Sequence, residues 1–144
     1  EKGLPNDPHL RQIMWQRKEI ENYLCSKDVV IQWAASEGET QQGPLFADSW
    51  RSTMEETIAE METALETLGK PSPWEADSKV TDDFLDPLFN KFFKKLNLPN
   101  LMRKTDYHQL ARFVDANDLD PEIERVLDQI AEAALSAQPG QPQK

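Results

Sequence analysis

Residues 17–24, Arg17-Lys18-Glu19-Ile20-Glu21-Asn22-Tyr23-Leu24, are the stretch of this chain whose residue types could perform phosphoryl chemistry. Two carboxylates and an amide offer the oxygen ligands that Mg2+ and Mn2+ prefer. Arg17 and Lys18 beside them could contact phosphate oxygens. If the backbone is extended here, Glu19 and Glu21 project to the same side, because side chains alternate along a strand. If it is instead the start of a helical turn, they do not, and six residues of loose alternation leave both readings open. The plainer alternative is an exposed run of acid and base, whose ion pairs are worth little.

Other chemistries lack their residues. The five glycines, at 3, 38, 43, 69 and 140, never reach the spacing of a phosphate-cradling loop. One cysteine and two distant histidines, His9 and His108, do not make a Cys/His metal cluster. A Ser-His-Asp triad has no nucleophile elbow to start from. Cys25 reads as a small buried side chain, and His108 as a partly buried helix residue. With one cysteine no internal disulfide can form, which points to a reducing, cytoplasmic setting.

At 144 residues and 38% hydrophobic, the chain can bury a core without a metal or disulfides. No run nears the roughly 20 apolar residues that span a bilayer, so no membrane partner is expected. The net charge of −10 argues against the whole surface gripping nucleic acid, but the charge is unevenly spread. Asp48, Glu55, Glu56, Glu60, Glu62 and Glu66 face only Arg51 in their stretch, whereas between Asp86 and Asp106 the charged residues are Lys91, Lys94, Lys95, Arg103 and Lys104. Since salt screens charges beyond about 10 Å, such local patches matter more than the total.

The elements that would position these groups are mainly helical. A short apolar run, Gln12–Gln16, reads as a strand after a linker over residues 1–11. Ser26 caps a helix that carries Val29, Val30, Trp33 and Ala34 and ends at Gly38. The strongest signal runs from Ser49 to Leu68: Asp48 as cap, Trp50, Met54, Ile58, Met61, Leu65 and Leu68 on one face, Gly69 and Pro71 at the end. Trp74 should pin the connector that follows. Thr81 caps a phenylalanine-rich helix, with Pro87 suggesting a true start at Asp86. Thr105 caps a short helix to Val114. Asp120 and Pro121 open a last helix whose inner side would be Ile123, Leu127, Ile130 and Ala134. The expectation is a mainly α fold, about five helices with at most one or two short N-terminal strands, forming one domain over residues 1–137 with a disordered tail over 138–144.

The run Ile13-Met14-Trp15-Gln16-Arg17-Lys18-Glu19-Ile20-Glu21-Asn22-Tyr23-Leu24 resembles the W-x-R-[RK]-E-I-E-N-Y-L-L segment of ATPase-linked Toprim nucleases, the family named for overcoming lysogenization defect. A looser similarity covers Met102-Arg103-Lys104-Thr105-Asp106-Tyr107-His108-Gln109-Leu110-Ala111 and Leu119-Asp120-Pro121-Glu122-Ile123. Together the two touch about a quarter of the chain, in the family's order.

The resemblance implies the C-terminal part of a Toprim-type α/β region in a metal-dependent DNA endonuclease of anti-phage defence. It implies Mg2+ or Mn2+ as cofactor and ATP bound at a separate domain. Glu21 is its first metal ligand and Glu19 its second. Lys104 becomes the lysine that faces the scissile phosphate, against the plainer reading of a surface lysine near a helix cap, and Arg17 a supporting catalytic contact. The partners implied are DNA, the ATPase part of the parent chain and a second copy in a homodimer. The family's early glutamate and its Asp-x-Asp strand have no counterpart here. A start at Glu1 rather than Met fits a segment of a longer chain, expected to be inactive alone. The rival reading is a non-catalytic interaction module whose acidic helix, residues 49–68, docks a basic partner.

Overall fold

A computed structural model describes residues 10–137. The expected tail at 138–144 and most of the expected linker lie outside the described residues. The chain divides into two units, one of Gln16–Asp118 and one of Glu1–Trp15 with Leu119–Lys144. Among the described residues there is no strand. The expected strand at Gln12–Gln16 is absent: Gln12–Trp15 run without regular structure and Gln16 lies in a bend. A strand needs a neighbouring strand to take its backbone hydrogen bonds, and none is present here among the described residues.

In the first unit, α1 (Lys27–Gln42) begins where Ser26 Oγ accepts the Val29 N–H at 3.3 Å. It does not stop at Gly38 but runs a further turn to Gly43, whose φ of +101° suits glycine. Gly38 has a packing role instead. An ideal Cβ there would lie 2.5 Å from Cγ of Trp50, a buried ring on the next helix. Glycine lets the two helices approach. In an open helix Gly→Ala gains up to about 1 kcal/mol; here Gly38→Ala should instead lose about 1–3 kcal/mol through overpacking. A urea midpoint that falls at unchanged slope would show it, and a rise would contradict the packing account.

The second helix, α2 (Ala47–Thr67), starts from a single turn at Pro44–Phe46, so Asp48 sits in its first turn rather than capping it. Trp50, Met54, Ile58 and Leu65 are buried, while Leu68 is exposed beyond the last turn. Gly69 (φ +65°) donates to the Glu66 carbonyl and Lys70 to the Leu65 carbonyl, each at 3.0 Å, which closes the C-terminus in a Schellman motif.

The acidic face of α2 is partly consumed within the fold. Lys95 reaches Glu56 and Glu60 at 3.3 and 2.9 Å, and Lys91 reaches Glu60 at 2.5 Å. Glu62 takes Lys27 at 3.2 Å and the Trp74 indole N–H at 2.8 Å. The Glu60 carboxyl is accordingly held below its usual range, first by its hydrogen bonds to Lys91 and Lys95.

Val80–Leu85 form a π-helical turn that leads directly into α3 (Asp86–Lys95), so Thr81 lies inside the turn instead of capping a helix. The Asp86 N–H reaches back to the Thr81 carbonyl. Pro87 has no N–H, and its ring would press on the Asp83 carbonyl in an ordinary turn; widening that turn relieves the clash. At the other end Asn97 (φ +54°) donates to Lys94 and Leu98 to Phe93, a second Schellman closure.

Phe89, Phe92 and Phe93 of α3 pack edge-on around Trp33, and Phe92 and Phe93 also around Trp50. Each such pair adds about 0.5–1.5 kcal/mol beyond its buried area. Trp74 does pin its connector, with its ring 5.0 Å from that of Phe84. The short helix expected after Thr105 is a 3₁₀ helix, Lys104–Phe113, which buries Tyr107 and Leu110 and leaves His108 exposed.

In the second unit, α4 (Pro121–Ser136) starts as expected, with Asp120 Oδ1 accepting the Glu122 N–H at 3.0 Å. Its facing differs. Val126 and Glu122 are buried, whereas Leu127 and Ile130, the expected inner side, are 57% and 53% exposed.

Candidate functional site

The segment with the paired carboxylates is a 3₁₀ turn, Ile20–Tyr23, and not a strand. Glu19 precedes it in extended conformation, and its Oε2 accepts the Thr81 N–H at 2.8 Å. One of the candidate metal ligands is thereby the cap of the π turn and α3, where a negative charge meets the positive end of a helix. Asn22 is buried and fully used. Its Oδ1 accepts the Glu19 N–H at 2.9 Å, and its Nδ2 donates to the carbonyls of Ser78 and Glu75 at 3.2 and 3.3 Å. The Tyr23 hydroxyl accepts the Arg17 N–H at 3.1 Å, and the Arg17 guanidinium lies 5.3 Å from the Tyr23 ring centre. Arg17 Nη1 also donates to the Asn22 carbonyl at 3.4 Å.

Glu21 is different. Its backbone carbonyl closes the turn, but among the described residues its carboxylate has no hydrogen bond or ion pair. It is half-buried and near enough to Tyr107 for its charge to act on that phenol. Burial, then the hydrogen bond to Asp86, then the charges of Asp86, Glu21 and Asp106 all push the Tyr107 hydroxyl well above its usual pKa. It therefore stays protonated and donates to Asp86.

Lys104 completes the cluster. Its ammonium lies 2.5 Å from Asp82 and 3.3 Å from Asp86, one wide turn apart across the π-to-α junction. The ammonium remains accessible, with 58% of the side chain exposed. It opens on a shallow cleft lined by Asp86, Asn90, Asn100, Arg103 and Tyr107. The Asp82 carboxyl is held below its usual range by the hydrogen bond and charge of Lys104. The lysine is raised in turn by its bonds to Asp82 and Asp86. What the contact adds to stability is thus complete above the ordinary carboxyl pKa and lost as pH falls through the lowered one. At the alkaline end it is lost as pH rises through the raised lysine value.

The structure places Glu21 within electrostatic reach of Tyr107, links Tyr107 and Lys104 through Asp86, and gives Glu19 and Arg17 structural partners of their own. Among the described residues no three His, Cys, Asp or Glu side chains are grouped to hold a metal ion. Asp82, Asp86 and Tyr107 carried no chemical role in the sequence, where Asp86 marked only a helix start; the four-residue spacing of the two aspartates was the available signal. Asn22 was visible only as one possible ligand oxygen, because the two carbonyls to which its Nδ2 donates lie more than 50 residues away.

Cys25 is buried, and burial pushes its thiol up to about 12. Near pH 8 roughly one thiol in 10⁴ would be ionised, against about one in four for a free cysteine. Iodoacetamide at that pH should leave the folded protein unlabelled and label it promptly in denaturant. Rapid native labelling would contradict the burial. Among the described residues no helix is long and apolar enough to cross a membrane. Compared with known proteins, the chain matches no family model, no curated protein and no solved structure.

Proposed function

We propose that this chain contributes to the phosphodiester-cleaving site of an ATPase-coupled, Toprim-type DNA nuclease, with Glu21 and Lys104 as its working residues. The observation that carries the reading is the fate of the motif's carboxylates. Glu19 is committed to the Thr81 N–H, while Glu21 is left unpaired on the side of Tyr107, which shares Asp86 with Lys104. An unpaired, half-buried carboxylate whose charge acts on Tyr107, and an accessible ammonium that shares Asp86 with that phenol, suit a phosphate-cleaving site, where a hard cation and a lysine share the charge of one phosphate.

Glu21 would supply one oxygen ligand to Mg2+ or Mn2+, and the rest of the shell would come from outside the described residues. The metal, when bound, polarises the phosphate and activates water. Lys104 would exchange Asp82 and Asp86 for a phosphate oxygen, and both carboxylates hold it protonated until then. Arg17 would hold the turn through Tyr23 and the Asn22 carbonyl and support the phosphate contact from there. ATP would bind at a domain outside this chain, and cleavage would serve defence against foreign DNA.

The test is plasmid nicking by the complete gene product with Mg2+ or Mn2+. Lys104→Gln should lower the rate by about 10²–10³-fold, the cost of removing one charge-stabilising donor, with ATP hydrolysis intact. Unchanged nicking would remove Lys104 from the site.

The acidic-docking alternative for α2 keeps fewer free charges than its sequence suggests, since Glu56, Glu60 and Glu62 are paired internally.

A further inference from the structure

The cleft beside Lys104 is lined wholly by residues of the first unit. A backbone donor sets the orientation of its two side-chain amides. The Met102 N–H can only donate, and it meets Asn100 at 2.8 Å, so the amide oxygen of Asn100 faces it. The Asn100 Nδ2 therefore turns the other way and donates to Asn90 Oδ1 at 2.8 Å. That contact fixes Asn90 in turn, and its Nδ2 is left without an acceptor among the described residues.

Each side-chain acceptor of the cleft already meets a donor of the fold. Asp86 takes the Tyr107 hydroxyl on Oδ1 and the Lys104 ammonium on Oδ2, and both asparagine oxygens are engaged. The donors are not used up. Asn90 Nδ2 is spare, and the Arg103 guanidinium has no acceptor among the described residues. An ammonium has three hydrogens to give, and Lys104 commits only those that face Asp82 and Asp86. Spare donors beside engaged acceptors suit a ligand made of acceptors. A phosphodiester is such a ligand, with anionic oxygens and no donor, and arginine meets it through paired N–H groups. The amino group of a base edge would find no free side-chain acceptor here.

We propose that Arg103 and Asn90 form, with Lys104, a clamp on one phosphate of a single DNA strand, gripping the backbone without reading the bases. The inference rests on the nuclease reading of Lys104 and adds the two groups that hold the phosphate while the lysine acts on it.

The test is binding of a short fluorescein-labelled oligothymidylate, read by anisotropy in EDTA and without ATP, so that no cleavage enters. Arg103→Gln should weaken binding at least about tenfold, the worth of one charge-assisted hydrogen bond. It should also flatten the salt dependence of log affinity by about 0.7, the share of one phosphate contact on a single strand. Asn90→Asp keeps the oxygen that meets Asn100 and puts a charged acceptor in place of the spare donor, so it too should weaken binding at least about tenfold. Both side chains are exposed, and unchanged circular dichroism is expected of both variants. Oligoadenylate and oligocytidylate should lose as much as oligothymidylate, the mark of a backbone contact. No binding by the parent protein, a variant that binds as tightly as the parent, an unchanged salt slope in Arg103→Gln, or losses confined to one base would overturn the clamp. So would release of the oligonucleotide by about 1 mM inorganic phosphate at constant ionic strength, since the cleft would then be a site for free phosphate. With neither metal nor cleavage involved, the clamp can fail here while Lys104→Gln still stops nicking. Intact nicking by Lys104→Gln would instead remove the lysine from catalysis and leave these binding results standing.

Discussion

Trp33→Ala should cost the fold about 3–5 kcal/mol, the range for emptying a large aromatic site. Against a total of about 5–15 kcal/mol, that leaves the first unit near the edge of folding. Trp33 is buried, with its ring centre 5.0 Å from that of Phe89 and 6.2 and 6.1 Å from those of Phe92 and Phe93. Nothing small can take its place without leaving those rings facing a void. Trp33→Phe should cost far less, for a reason specific to this site. The indole N–H of Trp33 is buried without a hydrogen-bond partner among the described residues. An unmet buried donor costs about 1–3 kcal/mol, and phenylalanine removes that cost while keeping most of the ring contact. Urea denaturation of the two variants checks this directly. Equal losses would mean that the indole is satisfied or that the cavity refills.

The second large effect separates the two carboxylates that sequence placed together. Glu19→Ala removes the acceptor for the Thr81 N–H and should cost about 1 kcal/mol, as helix caps do, with little change in cleavage by the complete protein. Glu21→Ala removes a side chain without a bonding partner among the described residues, and should change stability by no more than about 0.5 kcal/mol. Cleavage should nevertheless fall by more than about 100-fold, because even groups that only support a metal ligand cost about 10–100-fold. Thermal melts and nicking rates measured on the same two preparations give both halves of the comparison. A Glu19→Ala protein that melts normally but cannot cleave would reverse the assignment.

Much of the helical frame was legible because its signals are local. Ser26 and Asp120 cap as their residue types suggest, and Gly69 takes the left-handed position ahead of Pro71. The buried face of α2 follows its apolar spacing from Trp50 to Leu65. What could not be read were features settled by distant partners. Gly38 looks like a helix end until Trp50 is packed against it. Glu19 looks like a ligand until the start of the π turn is brought beside it, and Lys104 looks free until Asp82 and Asp86 arrive from another element. The apolar stripe of α4 misled in the opposite sense: Leu127 and Ile130 have core periodicity and are exposed. Periodicity shows that residues share a face, not whether that face is buried.

Coupling between Glu21 and Lys104 in the complete protein is the most direct measurement. Metal-dependent nicking rates would be taken for Glu21→Ala, Lys104→Gln and the double variant. Two residues that serve one reacting phosphate lose their effects together, so the double variant should be no slower than the slower single variant. Losses that multiply independently, or single variants that cut as fast as the parent, would contradict a shared site.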